Sequence, residues 1–80
     1  MSGRVRLYSW TVVSRRAAGV TDSPAMAAGH VADELAQAPA GAEGSVRRVA
    51  LASAHAQYVD LGEVARARRE DGGTVRWEVV

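Results

Sequence analysis

Arg4, Arg6, Tyr8 and Trp10 recur at every second position near the start of the chain, and Arg66, Arg68 and Arg76 gather near its end. Alternate residues of an extended strand share a face, so the first four would set two guanidinium groups beside two aromatic planes. That mixture neutralises phosphates and stacks on bases. The late arginines would widen the same surface from the polar face of a neighbouring hairpin. The chemistry this predicts is contact with DNA or RNA through an Arg/aromatic sheet face. The competing structural reading makes Tyr8 and Trp10 core residues under a helix and the arginines a solvated rim.

Other reactive side chains form weaker groupings. His30 and Glu34 lie one helical turn apart with Asp33 nearby, but two potential metal ligands without a third at a recognisable spacing fall short of a site. His55 near Tyr58 and Asp60 would give general-base geometry only if that segment folded back on itself. Ser14, Ser23, Ser45 and Ser53 lack a nucleophile-elbow context, and Gly41-Ala42-Glu43-Gly44 lacks the Lys and Ser/Thr of a phosphate loop. The expectation is therefore a protein without enzymatic activity, cofactor or metal.

Composition weakens any argument from arginine alone. All ten cationic side chains are Arg, and Lys, Ile, Asn and Phe are missing while Ala and Val abound. This bias resembles that of actinobacterial proteins, where high-GC coding favours Arg over Lys everywhere. The net charge is only +1, which argues against a dedicated polycation. Its distribution is uneven: Arg4, Arg6, Arg15 and Arg16 precede any acid, whereas residues 22–44 carry Asp22, Asp33, Glu34 and Glu43 and no base. One basic and one acidic side are expected. With no Cys, neither disulfides nor thiolate-zinc sites brace the fold. No segment reads as a signal peptide or a membrane span, so a cytoplasmic setting without membrane contact is expected.

The elements that must position these residues follow from patterning. Arg4 to Val13 reads as a strand, with Val5, Leu7, Ser9, Thr11 and Val13 on one face and Arg4, Arg6, Tyr8, Trp10 and Val12 on the other. Ser14 to Thr21 reads as a connection. Thr21-Asp22-Ser23-Pro24 is a helix start, and the helix should run to about Ala38. Ala27, Ala28, Val31, Leu35 and Ala38 form its apolar stripe. Gly29 inside it either permits a close approach to the sheet or is simply tolerated. Ala38 to Gly44 reads as a loop, and Ser45 to Ser53 as a second strand.

Residues 60–70 support two readings. Asp60-Leu61-Gly62-Glu63 matches a capping box and Arg66 precedes Glu70 by one turn, which suits a helix. Alternation of Ala65, Ala67 and Arg69 with Val64, Arg66 and Arg68, followed by Val75, Trp77 and Val79 alternating with Arg76 and Glu78, suits a hairpin and is preferred. A two-residue Asp71-Gly72 loop would set Arg66 opposite Trp77. A three-residue loop through Gly73 instead sets Ala67 opposite Trp77, Ala65 opposite Val79 and Arg66 opposite Glu78, separating apolar from charged faces. That register gives Arg66 a partner in Glu78, puts Arg69 on the apolar side, and leaves Arg68 and Arg76 without a structural role.

The predicted fold is a single α+β domain over residues 1–80, a small antiparallel sheet in β-α-β-β-β order with one helix on one face. The alternative is β-α-β-α-β with residues 60–70 helical. The predicted function is a small binding module contacting nucleic acid in an accessory or regulatory role. The alternative is a protein-protein interaction or dimerisation module.

Overall fold

Tyr8, Trp10, Thr11 and Val12 favour extended backbone, and the computed structural model, which describes residues 6–52 and 57–80, has β1 over Leu7–Val12. The strand does not continue through Val13 as expected. Val13–Arg15 forms a 3-10 turn, with the Arg16 N–H donating to the Val13 carbonyl at 2.9 Å and Arg16 in the left-handed region at φ 51°. The chain then reverses into β2, Ala17–Thr21, antiparallel to β1. Ala-Ala-Gly has little strand propensity, so the segment expected to be a connection is a strand made by pairing. Its Gly19 sits opposite Trp10, and a Cβ there would meet the indole Nε1 at 2.6 Å.

The helix starts where Ser23 and Pro24 indicate. The Ser23 hydroxyl accepts the Met26 N–H at 3.2 Å, and α1 runs Pro24–Ala36, slightly short of the expected Ala38. It buries Ala27, Val31 and Leu35, and Ala38 is buried just beyond it. Gly29 is tolerated, since an added Cβ would find nothing within 4 Å. The glycine that permits close approach lies on the sheet: a Cβ on Gly44 would meet Val31 Cγ1 at 2.6 Å.

Gly44 belongs to β3, Glu43–Ala52, which pairs with β1 on one side and with β4, Gln57–Arg69, on the other. Residues 60–69 are thus strand, and the hairpin reading holds over the helical one. β5, Val75–Val79, completes an antiparallel sheet of order β2-β1-β3-β4-β5. The final hairpin has the three-residue loop and the register derived from patterning, with Ala67 opposite Trp77, Arg66 opposite Glu78 and Ala65 opposite Val79. Gly72 and Gly73 take positive φ of 87° and 95°, which side chains with a Cβ rarely adopt. The predicted α+β class with one helix on one face of the sheet is correct, with β2 as an additional strand.

The core is thin and lies between α1 and one face of the sheet. Val12, Ala27, Val31, Leu35, Ala38, Ala42, Val46 and Ala67 form it, flanked by half-buried Tyr8, Trp10, Val64, Val75 and Trp77. Small Ala67 leaves room for the indole opposite. No helix among the described residues is long and apolar enough to cross a membrane.

Candidate functional site

Register decides which face each candidate residue occupies. Trp10 pairs with Val46, Val46 with Ala65 and Ala65 with Val79, so these residues share the helix-covered face with Tyr8, Val12, Trp77 and Arg69. Tyr8 and Trp10 pack against the core, and the Trp10 ring stacks on His30 with centroids 5.0 Å apart and planes 15° from parallel. Arg66, Arg68 and Arg76 project from the opposite, open face. The sheet therefore separates the early aromatics from the late arginines, and they do not form one surface. Arg6 is exposed just before β1. Arg4 and His55 lie outside the described residues.

Two bulges in β4 set the charge pattern of the open face. Between Val46 and Arg47 the partner steps from Ala65 to Glu63, leaving Val64 as the extra residue; between Arg48 and Val49 it steps from Gly62 to Asp60, leaving Leu61. Strict alternation would put Glu63 and Arg66 on opposite faces, and the first bulge brings them together. Arg66 accordingly donates to Glu63 at 2.7 Å, rather than to the expected partner Glu78 across the hairpin. That hydrogen bond raises the Arg66 guanidinium pKa above its ordinary value, and the more distant charges of Glu43 and Glu78 act in the same direction. It also lowers the Glu63 carboxyl.

At the second bulge Asp60, a capping residue in the helical reading, accepts the Gly62 N–H at 2.8 Å and Arg47 Nε at 2.7 Å. The Gly62 N–H is the larger cause holding its carboxyl below the ordinary value, and Arg47 adds to it. A carboxyl depressed in this way stabilises the fold above its ordinary pKa, and the contribution disappears as pH falls through the lowered one. An NMR titration should give an Asp60 midpoint below 3.8, with the Gly62 amide shift following the same curve. Asp60→Asn should flatten the Gly62 curve. A midpoint at or above the ordinary value would show that this bulge contact does not persist in solution.

Other candidates have structural partners. Arg15 binds Glu34 at 3.1 Å, joining the basic start of the chain to its acidic helix. With Glu34 paired and His30 stacked on Trp10, the pair read as possible metal ligands has other contacts. Among the described residues, no three His, Cys, Asp or Glu side chains cluster to hold a metal. Arg69 donates from NH1 to the carbonyls of Leu35, Ala36 and Ala38 at 3.0, 3.1 and 2.7 Å.

Arg68 and Arg76 face each other directly across the hairpin. They line an open-face concavity with Arg66, Glu43, Glu70 and Glu78, where bases and acids are equal in number. Within this concavity the formal charges balance.

A different surface was not legible from the charges. The outer halves of β3 and β4 form a ribbon in which Leu51 pairs with Tyr58 and Ala50 with Val59. Successive residues of a strand point to opposite faces, so one pair lies on each side. Leu51 and Tyr58 are each 54% exposed, and Val59 and Leu61 are similarly open. The molecule's extents of 47 × 23 × 18 Å make it strongly elongated. The cross-strand apolar pairing was the signal available in the sequence, but it emerges only once the register is known. Neither a protein family, nor a curated protein, nor a solved structure matches this chain.

Proposed function

We propose that this protein is a non-enzymatic protein-interaction module that docks through the outer β3–β4 ribbon into an apolar cleft of a protein partner. The observation carrying this reading is the Leu51–Tyr58 pair on one ribbon face with Ala50–Val59 on the other, both in contact with solvent. Among the described residues this ribbon has two strands only, a form that is marginal in water by itself, and each face carries an exposed apolar pair with one polar neighbour, Asp60 beside Leu51–Tyr58 and Gln57 beside Ala50–Val59. Insertion between two walls of a partner covers both faces at once. Tyr58 supplies the kind of amphipathic side chain that anchors interfaces.

The test is a photo-crosslinking residue in place of Tyr58, used in the native cellular context. A discrete protein adduct is expected, lost on Leu51→Asp or Val59→Asp and retained on Arg68→Glu. Crosslinks to nucleic acid, no adduct, or an adduct insensitive to the ribbon substitutions would overturn the reading.

Contact with a nucleic-acid backbone is the second reading. It draws on Arg68 and Arg76, two juxtaposed guanidinium groups that make no salt bridge among the described residues. Like charges directly opposite in a sheet are unfavourable, and a phosphate between them would relieve the repulsion. Tyr8 and Trp10 do not contribute to that surface.

A further inference from the structure

Among the described residues β5 has a neighbour on one side only. Its sequence, Val75-Arg76-Trp77-Glu78-Val79, has the same apolar and charged pattern from either end, with the signs exchanged. We propose that β5 pairs antiparallel with β5 of a second copy of this chain, about a two-fold axis beside Trp77. The surface is separate from the ribbon, so either proposal can fail without the other.

The backbone is phased for this pairing. The Glu70 N–H donates to the Thr74 carbonyl at 2.8 Å, and the Val80 N–H to the Val64 carbonyl at 3.0 Å, bracketing the β4–β5 ladder. Alternation along an antiparallel pair then directs the backbone groups of Arg76 and Glu78 towards β4. Those of Val75, Trp77 and Val79 are left at the free edge. In the two-fold register, Trp77 pairs with Trp77 of the second copy and Val75 with its Val79, so each outward donor meets an outward acceptor.

The side chains select the same register. On the open face Arg76 comes opposite Glu78 of the second copy, and symmetry repeats the contact. Among the described residues neither side chain makes a salt bridge: Arg76 faces Arg68, and Glu78 faces Arg66, whose guanidinium is held by Glu63. Sliding to a neighbouring in-phase register would oppose Arg76 to itself or Glu78 to itself, which is unfavourable. On the helix face Val79, 86% exposed, comes opposite Val75. β5 has neither Pro nor a bulge to block an incoming strand. The other edge, β2, has no charged residue with which to specify a register.

Sedimentation up to about 1 mM protein should show a monomer–dimer equilibrium. Arg76→Glu or Glu78→Arg alone should weaken the dimer about tenfold or more, because each places like charges opposite one another at two symmetric contacts. The double reversal Arg76→Glu with Glu78→Arg should restore it. Arg76→Glu also puts a carboxylate opposite Arg68 in the same chain, so the monomer stays folded while the dimer is lost. Amide exchange adds a register-specific readout: Val75, Trp77 and Val79 should gain protection with concentration, whereas Arg76 and Glu78 should not. A strict monomer, a dimer indifferent to the reversals, or growth into larger assemblies through β5 pairing with β2 would overturn the proposal.

Discussion

Replacing Arg69 by Ala is expected to destabilise the protein by about 3 kcal/mol, because one guanidinium nitrogen satisfies the end of α1. The last turn of the helix has no basic residue of its own, and Arg69 NH1 reaches the carbonyls of Leu35, Ala36 and Ala38 from β4. Hydrogen bonds to a charged group contribute about 1.5–3 kcal/mol each, and a cation at a helix C-terminus adds up to about 2 kcal/mol in partly buried geometry. These terms overlap, because the same nitrogen serves all three carbonyls and the Ala36 bond is exposed. The expected loss is therefore below their sum. Arg69→Lys should recover only part of it, since its ammonium keeps the charge and has three donors but ends one bond short of the position NH1 occupies. Urea unfolding should show a lowered midpoint with an unchanged slope. A loss under about 1 kcal/mol for Arg69→Ala would mean the clamp is not formed in solution.

Leu35→Ala is expected to cost about 3 kcal/mol or somewhat more, within the range for emptying a well-packed leucine site. Leu35, Val12 and Val31 are the largest fully buried side chains, and much of the surrounding core is Ala, which cannot extend into a void. At roughly 0.05–0.15 kcal/mol per residue, a domain of this size has little stability to lose. The thermal midpoint should fall by at least about 12 °C. Val13→Ala, on a side chain that is 76% exposed, should stay within about 0.5 kcal/mol. A comparable shift for both variants would contradict the placement of the core.

The class of the fold was legible because its strongest signals are local. Ser23-Pro24 starts the helix, the stripe through Val31 and Leu35 buries it, and Gly72-Gly73 with alternating flanks sets the last hairpin and its register. β2 was hidden because Ala17-Ala18-Gly19 has no strand propensity, and its Gly answers to the Trp10 indole rather than to a turn. The bulges in β4 were equally hidden, since no residue type announces an extra residue in a ladder. They determine that Glu63, and not Glu78, holds Arg66.

The same cause limited the reading of the candidate surface. Spacing put Arg4, Arg6, Tyr8 and Trp10 on one face of a strand, but pairing decides which face the helix covers. Tyr8 and Trp10 lie on the covered side, and Arg66, Arg68 and Arg76 on the other. Much of the arginine-rich C-terminus has structural partners: Arg69 clamps α1 and Arg66 binds Glu63, leaving Arg68 and Arg76 as the pair that patterning alone had isolated. The apolar ribbon emerged only from register, since Leu51 and Tyr58 are unremarkable until they are opposite each other.

The proposal that the ribbon, rather than the arginines, is the contact surface is tested most directly by polarisation of labelled single-stranded and duplex nucleic acid at low salt, with wild type and Arg68→Glu/Arg76→Glu compared. No saturable binding tighter than about 10⁻⁴ M is expected for either protein. Binding that saturates below that concentration, weakens as salt rises and disappears in the double variant would contradict it.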